Sequence, residues 1–312
     1  MKRILSLLLS VVMLVSAMSL VDFSAFAGTY EDYEYTVSAD NSVQITKYKG
    51  SANALVIPSA IDGKAVRSIG YEAFAYCNSL ISVVIPDSVT SLADWSFYGC
   101  MNLVSVTISG GVKRIGNSAF SCCINLKNIT IPRNVSSIGS AVFLSCKNLS
   151  SINVVSDNNY FSSIDGVLFN KNQTAIVQYP EGKNGNSYVI PSSVTAIGTG
   201  AFKYAQSLTN IVIPSSVTAI GLSAFDNCKS LTSITIPDSV TTIGNYAFHM
   251  CTALKSVSIG NNVKTIGTYA FHSCTGLTNV TVPNRVESIG DYAFYGCSGL
   301  TSFVIPKSVT QI

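Results

Sequence analysis

The sequence predicts an α/β solenoid, with parallel strands forming one curved sheet on the concave face and short helical turns on the convex face. Three observations support this prediction. A corner, usually Ile-Pro, recurs with a period of 23 residues, as between Pro214 and Pro237. Apolar residues keep the same columns from one period to the next. Each period has room for one short strand and one return segment, and a fixed period in this range is typical of solenoids.

The corner residue serves as the marker that divides the chain into repeats. The first interval is longer because residues 61–65 add a turn, and the interval from Val155 to Pro191 contains an insert. In order, the markers are Pro58, Pro86, Ser109, Pro132, Val155, Pro191, Pro214, Pro237, Gly260, Pro283 and Pro306.

The repeat Leu231–Cys251 shows how each period is expected to fold. Apolar and polar residues alternate up to Ile236, which is the pattern of a short strand. Pro237 ends the strand because it has no N–H to donate, and Gly244 permits a second sharp turn. The four-residue spacing of Ala247 and Cys251 predicts a helical turn in the return segment. About a dozen residues are needed to bring the chain back to a parallel neighbour, and the period supplies them.

Residues 1–27 are predicted to be a secretory signal peptide that is removed from the mature protein. The segment begins with a positively charged stretch, Met1–Arg3, which is followed by the apolar run Ile4–Ala17. Ala25-Phe26-Ala27 is a small-x-small cleavage pattern. The alternative is a membrane anchor, but the strongly apolar run is shorter than the ~20 residues that span a bilayer. We therefore expect a secreted or cell-surface protein with no membrane span after signal removal.

Three segments are expected in the mature chain. Residues 28–50 form an N-terminal hairpin cap, because two β-rich runs flank the turn residues 39–42. Residues 51–312 form the repeats. The insert, residues 156–188, predicts a second hairpin that projects from the array, with its turn at 170–173. This hairpin is either a structural elaboration or a recognition arm.

The repeat resembles a known family. LTSITIPDSVTTIGNYAFHMCTAL, residues 231–254, is similar to the bacterial BspA-like leucine-rich repeat, with its pattern I-P-x-x-V-x-x-I-G-x-x-A-F-x-x-C-x-x-L. The resemblance covers about residues 52–312. It implies a leucine-rich-repeat solenoid, an extracellular or cell-surface location, and a role as an adhesin or a binder of host proteins. The sequence departs from the general leucine-rich consensus because Ser88 and Ser239 stand near the place of the usual Asn column.

Charge and motifs exclude several function classes. Nineteen Lys and Arg against sixteen Asp and Glu give a net charge of +3 that is spread along the chain. Nucleic-acid binding is not expected, because a phosphate backbone needs clustered cations. No phosphate loop, Cys-x-x-Cys pair or His-Glu-x-x-His motif is present, so the sequence predicts no cofactor, no metal site and no enzyme.

The histidines and the carboxylates of the insert are the remaining candidates for chemistry. His249 and His272 are one repeat apart and should stack on the outside, but a zinc site normally needs three or four ligands. The neighbouring Tyr246 and Tyr269 supply no orienting carboxylate for a nucleophile. An extracellular hydrolase that uses the insert is a weaker alternative. Its carboxylates are Asp157, Asp165 and Glu181, although Asp165-Gly166 is also a turn pair.

Cysteines are expected to be free thiols. Eight of the nine share one column, three residues after a core phenylalanine or its equivalent, and a buried column of small apolar thiols explains this regularity. The alternative is disulfides between neighbouring returns. The column is Cys77, Cys100, Cys123, Cys146, Cys228, Cys251, Cys274 and Cys297. Cys122 lies beside the column and is predicted to be the most reactive thiol.

The predicted partner is an extracellular protein or glycan, bound by the outward-facing residues of the strands. These residues are small, polar and weakly charged, which suits a flat or repetitive partner. The candidate binding residues are Ser105, Asn128, Thr130, Ser151, Asn153, Asn210, Ser233, Thr235, Ser256, Asn279 and Thr281. Aromatic residues, which are enriched in binding hot spots, fall on the returns instead, where the simplest interpretation is packing between repeats.

The end of the sequence supports an alternative function. Residues 301–312 complete a strand and a corner without a return or a cap, and solenoids normally need a capping end. This arrangement favours a longer native protein. The alternative to an adhesin is therefore a non-catalytic repeat scaffold within a larger secreted enzyme.

Overall fold

The computed structural model describes residues 26–312. The predicted signal peptide therefore lies outside the described residues, apart from Phe26 and Ala27. Residues 26–312 fold into a parallel β-solenoid of strands and turns, and this part of the chain contains no helix. It accordingly contains no helix able to cross a membrane.

The N-terminal segment is a three-stranded antiparallel sheet, one strand more than the predicted hairpin. Its strands are β1 (Phe26–Tyr30), β2 (Tyr33–Val37) and β3 (Val43–Tyr48). β3 then runs parallel to β6 (Lys64–Ile69), which also pairs with the short β5 (Ala60–Ile61). We call β1–β3 the N-terminal cap.

The longer strands of the repeats form what we call the strand face, which the sequence analysis predicts to be concave. They are parallel and in register, so that residues 23 apart lie side by side, as Ser82 does with Ser105. They are β4 (Ala54–Val56), β7 (Ser82–Ile85), β9 (Ser105–Ile108), β11 (Asn128–Ile131), β13 (Ser151–Val154), β17 (Ser187–Val189), β19 (Asn210–Val212), β21 (Ser233–Thr235), β23 (Ser256–Ser258) and β25 (Asn279–Thr281).

A second parallel stack follows the corner of each repeat, so the prediction of a single sheet is wrong. Its strands have two residues each and continue the sheets of β3 and β6 on one side and of the insert on the other. They are β8 (Ser91–Leu92), β10 (Arg114–Ile115), β12 (Ser137–Ile138), β18 (Ala196–Ile197), β20 (Ala219–Ile220), β22 (Thr242–Ile243), β24 (Thr265–Ile266) and β26 (Ser288–Ile289).

The return segments are turns, and the predicted helical turns are wrong. In the return after Gly244, every second N–H donates to the next repeat: Phe248 N lies 2.7 Å from Ala270 O. The N–H groups between them close four-residue turns, as His249 N does with Tyr246 O at 3.2 Å. A helix needs these same N–H groups for its own carbonyls four residues back, so stacking of repeats and helix formation exclude each other.

The insert is part of the solenoid and does not project from it. Its strands β14 (Phe161–Ile164), β15 (Val167–Asn170) and β16 (Ala175–Gln178) form an antiparallel sheet, and β16 then runs parallel to β18. Leu168 and Phe169 are fully buried. The projecting recognition arm of the sequence analysis is therefore a misinterpretation, because the apolar residues of the hairpin fill the interior.

The insert divides the interior into two hydrophobic cores. We call the repeats of residues 51–155 the first ladder and those of residues 187–312 the second ladder, and each ladder has its own core. A column of stacked phenylalanines runs through each core, with ring centroids 4.8–6.1 Å apart in the first ladder. In the second ladder the spacing is 5.0–5.2 Å. Rings this close bury large apolar areas against each other, so the column stabilises the interface between neighbouring repeats.

The cysteine column is made of free thiols, as predicted, and all nine cysteines are unpaired. Each buried thiol donates to the carbonyl of the phenylalanine 26 residues earlier, as Cys251 does to Phe225 O at 3.2 Å. Cys77, at the start of the column, is only half-buried, and burial raises the pKa of its thiol to about 11. Cys122 is half-buried as well, and its greater reactivity stays a prediction.

Candidate interaction surfaces

The eleven predicted binding residues all lie on the strand face. All are exposed except Ser151, which is half-buried. The parallel register places them in rows: Asn128 pairs with Ser105 on one side and with Ser151 on the other. Ser256 sits in the same way between Ser233 and Asn279. The structure therefore brings the candidates together within each ladder.

The candidates do not form one continuous row. The strand face consists of three hydrogen-bonded sheets, β4 to β13, β17 with β19, and β21 to β25. The largest break lies where the insert separates β13 from β17. Asn210, on β19, pairs only with Ser187 of β17. The two ladders thus present separate polar surfaces rather than a single long one.

Hydrogen bonds between side chains order the strand face of the first ladder. Asn128 Oδ1 accepts from Ser151 Oγ at 2.9 Å and from Ser150 Oγ at 3.0 Å. Asn153 Nδ2 donates to Ser151 Oγ at 3.2 Å. These bonds fix side chains that would otherwise rotate freely, so less side-chain entropy is lost when a ligand binds.

The opposite side of the second ladder carries six aromatic rings in two parallel columns. We call them the aromatic strip: Tyr246, Tyr269 and Tyr292 in one column, and His249, His272 and Tyr295 in the other. The three tyrosine rings of the first column are stacked with centroids 4.9 and 5.0 Å apart. The rings of the second column lie 5.2 and 5.4 Å apart, and edge contacts join the two columns.

The tyrosines of the first column have left-handed backbone conformations. The φ angles of Tyr246, Tyr269 and Tyr292 are 57°, 56° and 56°. This region costs an ordinary L-residue roughly 1–2 kcal/mol and is unusual for a bulky one. Other repeats have a small residue in the same column, such as Ser118 and Ser223 with φ of 52° and 54°. Tyrosine is therefore not required by the turn itself.

Asp226 holds the first histidine of the strip. Its Oδ1 lies 2.8 Å from His249 Nδ1, and its Oδ2 lies 2.9 Å from Lys203 Nζ. The expectation that the positions around the histidines supply no orienting carboxylate is wrong, because Asp226 supplies one to His249. Asp226 stands one period of 23 residues before His249, and this spacing was the available signal.

The stacking of His249 and His272 that the sequence predicts is confirmed. The rings are tilted by only 32°, so their in-plane nitrogen lone pairs run side by side and do not converge on one ion. Residues 26–312 contain no group of three or more metal-binding side chains. Ser273 Oγ is 2.9 Å from His272 Nδ1, so this hydroxyl contacts the other histidine and not the one held by Asp226.

The repeat itself decides the family. The model of the BspA type leucine-rich repeat region matches in 6 copies over residues 48–176 and 178–301. The chain belongs to the BspA-type leucine-rich repeat family. The match covers both ladders and the insert between them.

Solved structures show the same fold. A leucine-rich repeat protein from Eubacterium ventriosum is 27% identical, with a TM-score of 0.69 over 90% of this chain and 91% of that one. A leucine-rich repeat protein from Bacteroides ovatus has 23% identity and a TM-score of 0.54 over 92% and 88%. The pneumococcal vaccine antigen PcpA has 21% identity and a TM-score of 0.50 over 92% and 93%. No match was found among curated proteins.

Proposed function

We propose that this BspA-type protein is secreted or held at the cell surface, and that it mediates adhesion by binding an extracellular protein or glycan. The predicted signal peptide supports export, and the family supports a role in macromolecular interaction. A solenoid buries its core between repeats, so its two long faces remain available for a partner.

The aromatic strip is the observation that carries this proposal. Tyrosines are enriched in binding hot spots, because a rigid ring gives a large contact area and its hydroxyl gives a hydrogen bond. Tyr292 and Tyr295 are 56% and 64% exposed. Tyr246, Tyr269 and Tyr292 occupy a turn position that holds serine in other repeats with a similar φ, so the turn does not require the rings.

The strip contributes to binding in this proposal, and the strand face is the second contact surface. The eleven residues of the strand face are polar and lack aromatic anchors, so they suit a partner that makes many weak contacts. The predicted absence of catalysis is part of the same proposal. Asp226 is neutralised by Lys203 and serves to orient His249, which is a structural role.

The test is a binding screen of the mature chain, residues 28–312, against matrix proteins, mucins and epithelial cells, measured by biolayer interferometry and cell adhesion. The variant Tyr246→Ser/Tyr269→Ser/Tyr292→Ser removes the first column of rings and keeps a residue that the turn already accepts at Ser118 and Ser223. We expect it to weaken binding about tenfold or more.

A matched control is Asn210→Ala/Asn279→Ala/Thr281→Ala on the strand face, which should retain most of the binding. If the tyrosine variant binds as well as the wild type and the strand-face variant does not, the strand face is the contact surface. Absence of binding to every probe would contradict the proposed function as a whole.

A further inference from the structure

A polar cleft lies where the two ladders meet on the strand face. Its volume is about 690 Å³. One wall is the outward side of β13, the last strand of the first ladder, with Ser151 and Asn153. The other wall is formed by Ser163, the turn at Asp165 and the segment at Lys183. The cleft exists because the insert interrupts the strand face at this point.

Side chains with both donors and acceptors line the cleft. Three serine hydroxyls and two asparagine amides surround one ion pair, and Gly166 is the only other lining residue. Lys183 Nζ donates to Asp165 Oδ2 at 2.8 Å and to the Asp165 carbonyl oxygen at 2.6 Å. The ammonium group is nearly buried, whereas the side chain of Asp165 is 78% exposed.

The walls of the cleft are held in place by the packing of the insert. Gly166 O accepts from Ile152 N at 2.8 Å, and Ser163 Oγ accepts from Val154 N at 3.0 Å. Asn153 uses one amide hydrogen on Ser151, which leaves its carbonyl oxygen for a ligand. The ion pair fixes the lysine, and the exposed carboxylate can accept two further hydrogen bonds.

The chemistry of the lining selects among ligand classes. The charges of Asp165 and Lys183 compensate each other, so the cleft has no net charge that would attract a free anion or cation. No apolar side chain lines it, so it offers no pocket for the hydrophobic anchor of a peptide. Paired hydroxyl groups of a sugar match such a lining, because each hydroxyl both donates and accepts.

We propose that the junction cleft is a binding site for a neutral saccharide, held by hydrogen bonds from its hydroxyl groups to Asp165, Asn153 and Lys183. The inference rests on the proposed function in one respect, which is that the chain acts outside the cell, where glycans are available. It uses different residues from the aromatic strip. Each proposal therefore can fail without the other.

The experiment uses an array of immobilised oligosaccharides with galactose, mannose, N-acetylglucosamine or sialic acid termini, followed by calorimetric titration of the saccharide that binds best. Residues 28–312 and the variants Asn153→Ala, Asp165→Asn and Lys183→Gln are compared. We expect a neutral saccharide to bind the wild type and each variant to weaken binding about tenfold, the effect of losing one hydrogen bond to a charged or fixed polar group.

Two matched controls separate the cleft from the rest of the strand face. Asn261→Ala removes an exposed asparagine of the second ladder that is not among the predicted binding residues. Asp238→Asn neutralises an exposed aspartate that lines another cavity of about 570 Å³ on the strand face. Both should bind the saccharide like the wild type, and thermal melting should show that all five variants are folded.

Three results would overturn the proposal. The first is that no neutral saccharide binds at millimolar concentration. The second is that Asn153→Ala and Asp165→Asn bind undiminished while folded. The third is that binding is confined to sialylated probes, since a cleft without net charge does not explain selectivity for an acidic sugar. Loss of protein binding in the tyrosine variant, with saccharide binding retained, would leave both proposals standing.

Discussion

The N-terminal cap and the insert share the same strand arrangement. Each is an antiparallel sheet of three strands whose last strand starts a parallel stack, β3 with β6 and β16 with β18. Each ends in a tyrosine that stacks on the first phenylalanine of its ladder. The centroids of Tyr48 and Phe74 lie 5.2 Å apart, as do those of Tyr179 and Phe202.

The backbone contacts of the two tyrosines agree as well. Tyr48 N donates to Ala73 O at 2.8 Å, and Tyr179 N donates to Ala201 O at 2.7 Å. A first strand of a solenoid needs a cover for its apolar face and unpaired backbone groups, and both sheets provide one. The second ladder therefore starts like the first, in the middle of the chain.

The difference is that the N-terminal cap covers one ladder and the insert covers two. β2 alternates between buried and half-buried residues, which is the pattern of a strand with one covered face. In β15, Val167, Leu168 and Phe169 are all buried. Leu168 packs in the core of the first ladder, whereas Val167 and Phe169 pack in the core of the second. A cap that is packed on both faces becomes a connector.

The largest expected effect tests this two-sided packing. Phe169→Ala should destabilise the second ladder by about 3–5 kcal/mol, and Leu168→Ala should destabilise the first by about 2–5 kcal/mol, because each leaves a cavity in a different core. Hydrogen exchange followed by mass spectrometry locates the damage. Exchange should rise in residues 126–152 for Leu168→Ala and in residues 190–211 for Phe169→Ala.

The N-terminal cap supplies the control for this comparison. Glu34 lies on the outward side of β2, in an exposed ion pair with Lys49, so Glu34→Ala should change stability by less than about 1 kcal/mol. Equal exchange in both ladders after either substitution in β15 would show that the two cores unfold as one unit. The view of the insert as a connector between two separable ladders would then be wrong.

The second test uses two glycines in equivalent turns. The turns Asp62-Gly63 and Asp165-Gly166 have nearly the same φ angles, 50° and 71° against 49° and 74°. A Cβ on Gly63 would meet open space, whereas a Cβ on Gly166 would lie 2.7 Å from Ser151 Cβ.

Gly63→Ala should therefore cost only the left-handed conformation, about 1 kcal/mol, whereas Gly166→Ala adds overpacking and should cost about 2–4 kcal/mol. Chemical denaturation of both variants measures the difference. Equal costs would mean that the insert does not press against β13 in solution.

The sequence predicts much of the repeat structure, because the residue patterns that specify strands and turns are local. The corner prolines, the apolar columns and the Asp165-Gly166 turn follow from spacing and residue type, and they predict the longer strand of each repeat correctly. The run Val167-Leu168-Phe169 also carried information, since a strand buried on both faces has no polar alternation. The same run also fits a projecting hairpin, because a sequence pattern does not specify which strands pack against it.

The wrong predictions concern contacts between residues that are distant in the sequence. The spacing of Ala247 and Cys251 fits a helix and a stacked turn equally well, and the choice depends on carbonyl groups of the next repeat. The candidate residues lie on the strand face, as their alternation with apolar residues predicts, but the break in that face and the cleft at Asp165 depend on how the insert packs. Asp226 was missed for a different reason, since the repeat period identifies it.

The third prediction concerns a carboxylate that only the insert has. Burial raises the pKa of Glu181 to about 7, although Ser145 N donates to it at 2.5 Å. The matching position of the N-terminal cap, two residues after its tyrosine, is Gly50. The folded state binds the proton of Glu181 more tightly than the unfolded state does, so ionisation lowers stability as the pH rises from 4.5 through 7.

Glu181→Gln removes this cost and keeps the acceptor for Ser145. The variant and the wild type should be equally stable near pH 4.5, and the variant should be more stable by about 1–3 kcal/mol at pH 8. Urea denaturation at both pH values measures the difference. A gap that is the same at pH 4.5 and pH 8 would exclude a buried, ionising Glu181.

The smallest effect distinguishes the returns of the two ladders. Both histidines of the protein are in the second ladder, and partial burial together with the neighbouring His249 lowers the pKa of His272. His272 therefore binds a proton more readily when its return segment has opened locally than when the segment is packed in the folded state. The contribution of His272 to stability is complete above pH 6.5 and declines as the pH falls below that value. The groups that face the two rings are Asp226 and Tyr246 on His249, and Ser273, Tyr269 and Tyr295 on His272.

Hydrogen exchange, corrected for its intrinsic pH dependence, should show a modest increase in opening of residues 269–274 between pH 7.5 and pH 5, less than about tenfold, and none in residues 118–123 of the first ladder. His272→Tyr tests the cause, because Tyr98 and Tyr295 occupy the same column in other repeats. The variant should lose the pH dependence while keeping the stacked column. If opening in the variant still increases at pH 5, the proton is taken up by a group other than His272, and this prediction is wrong.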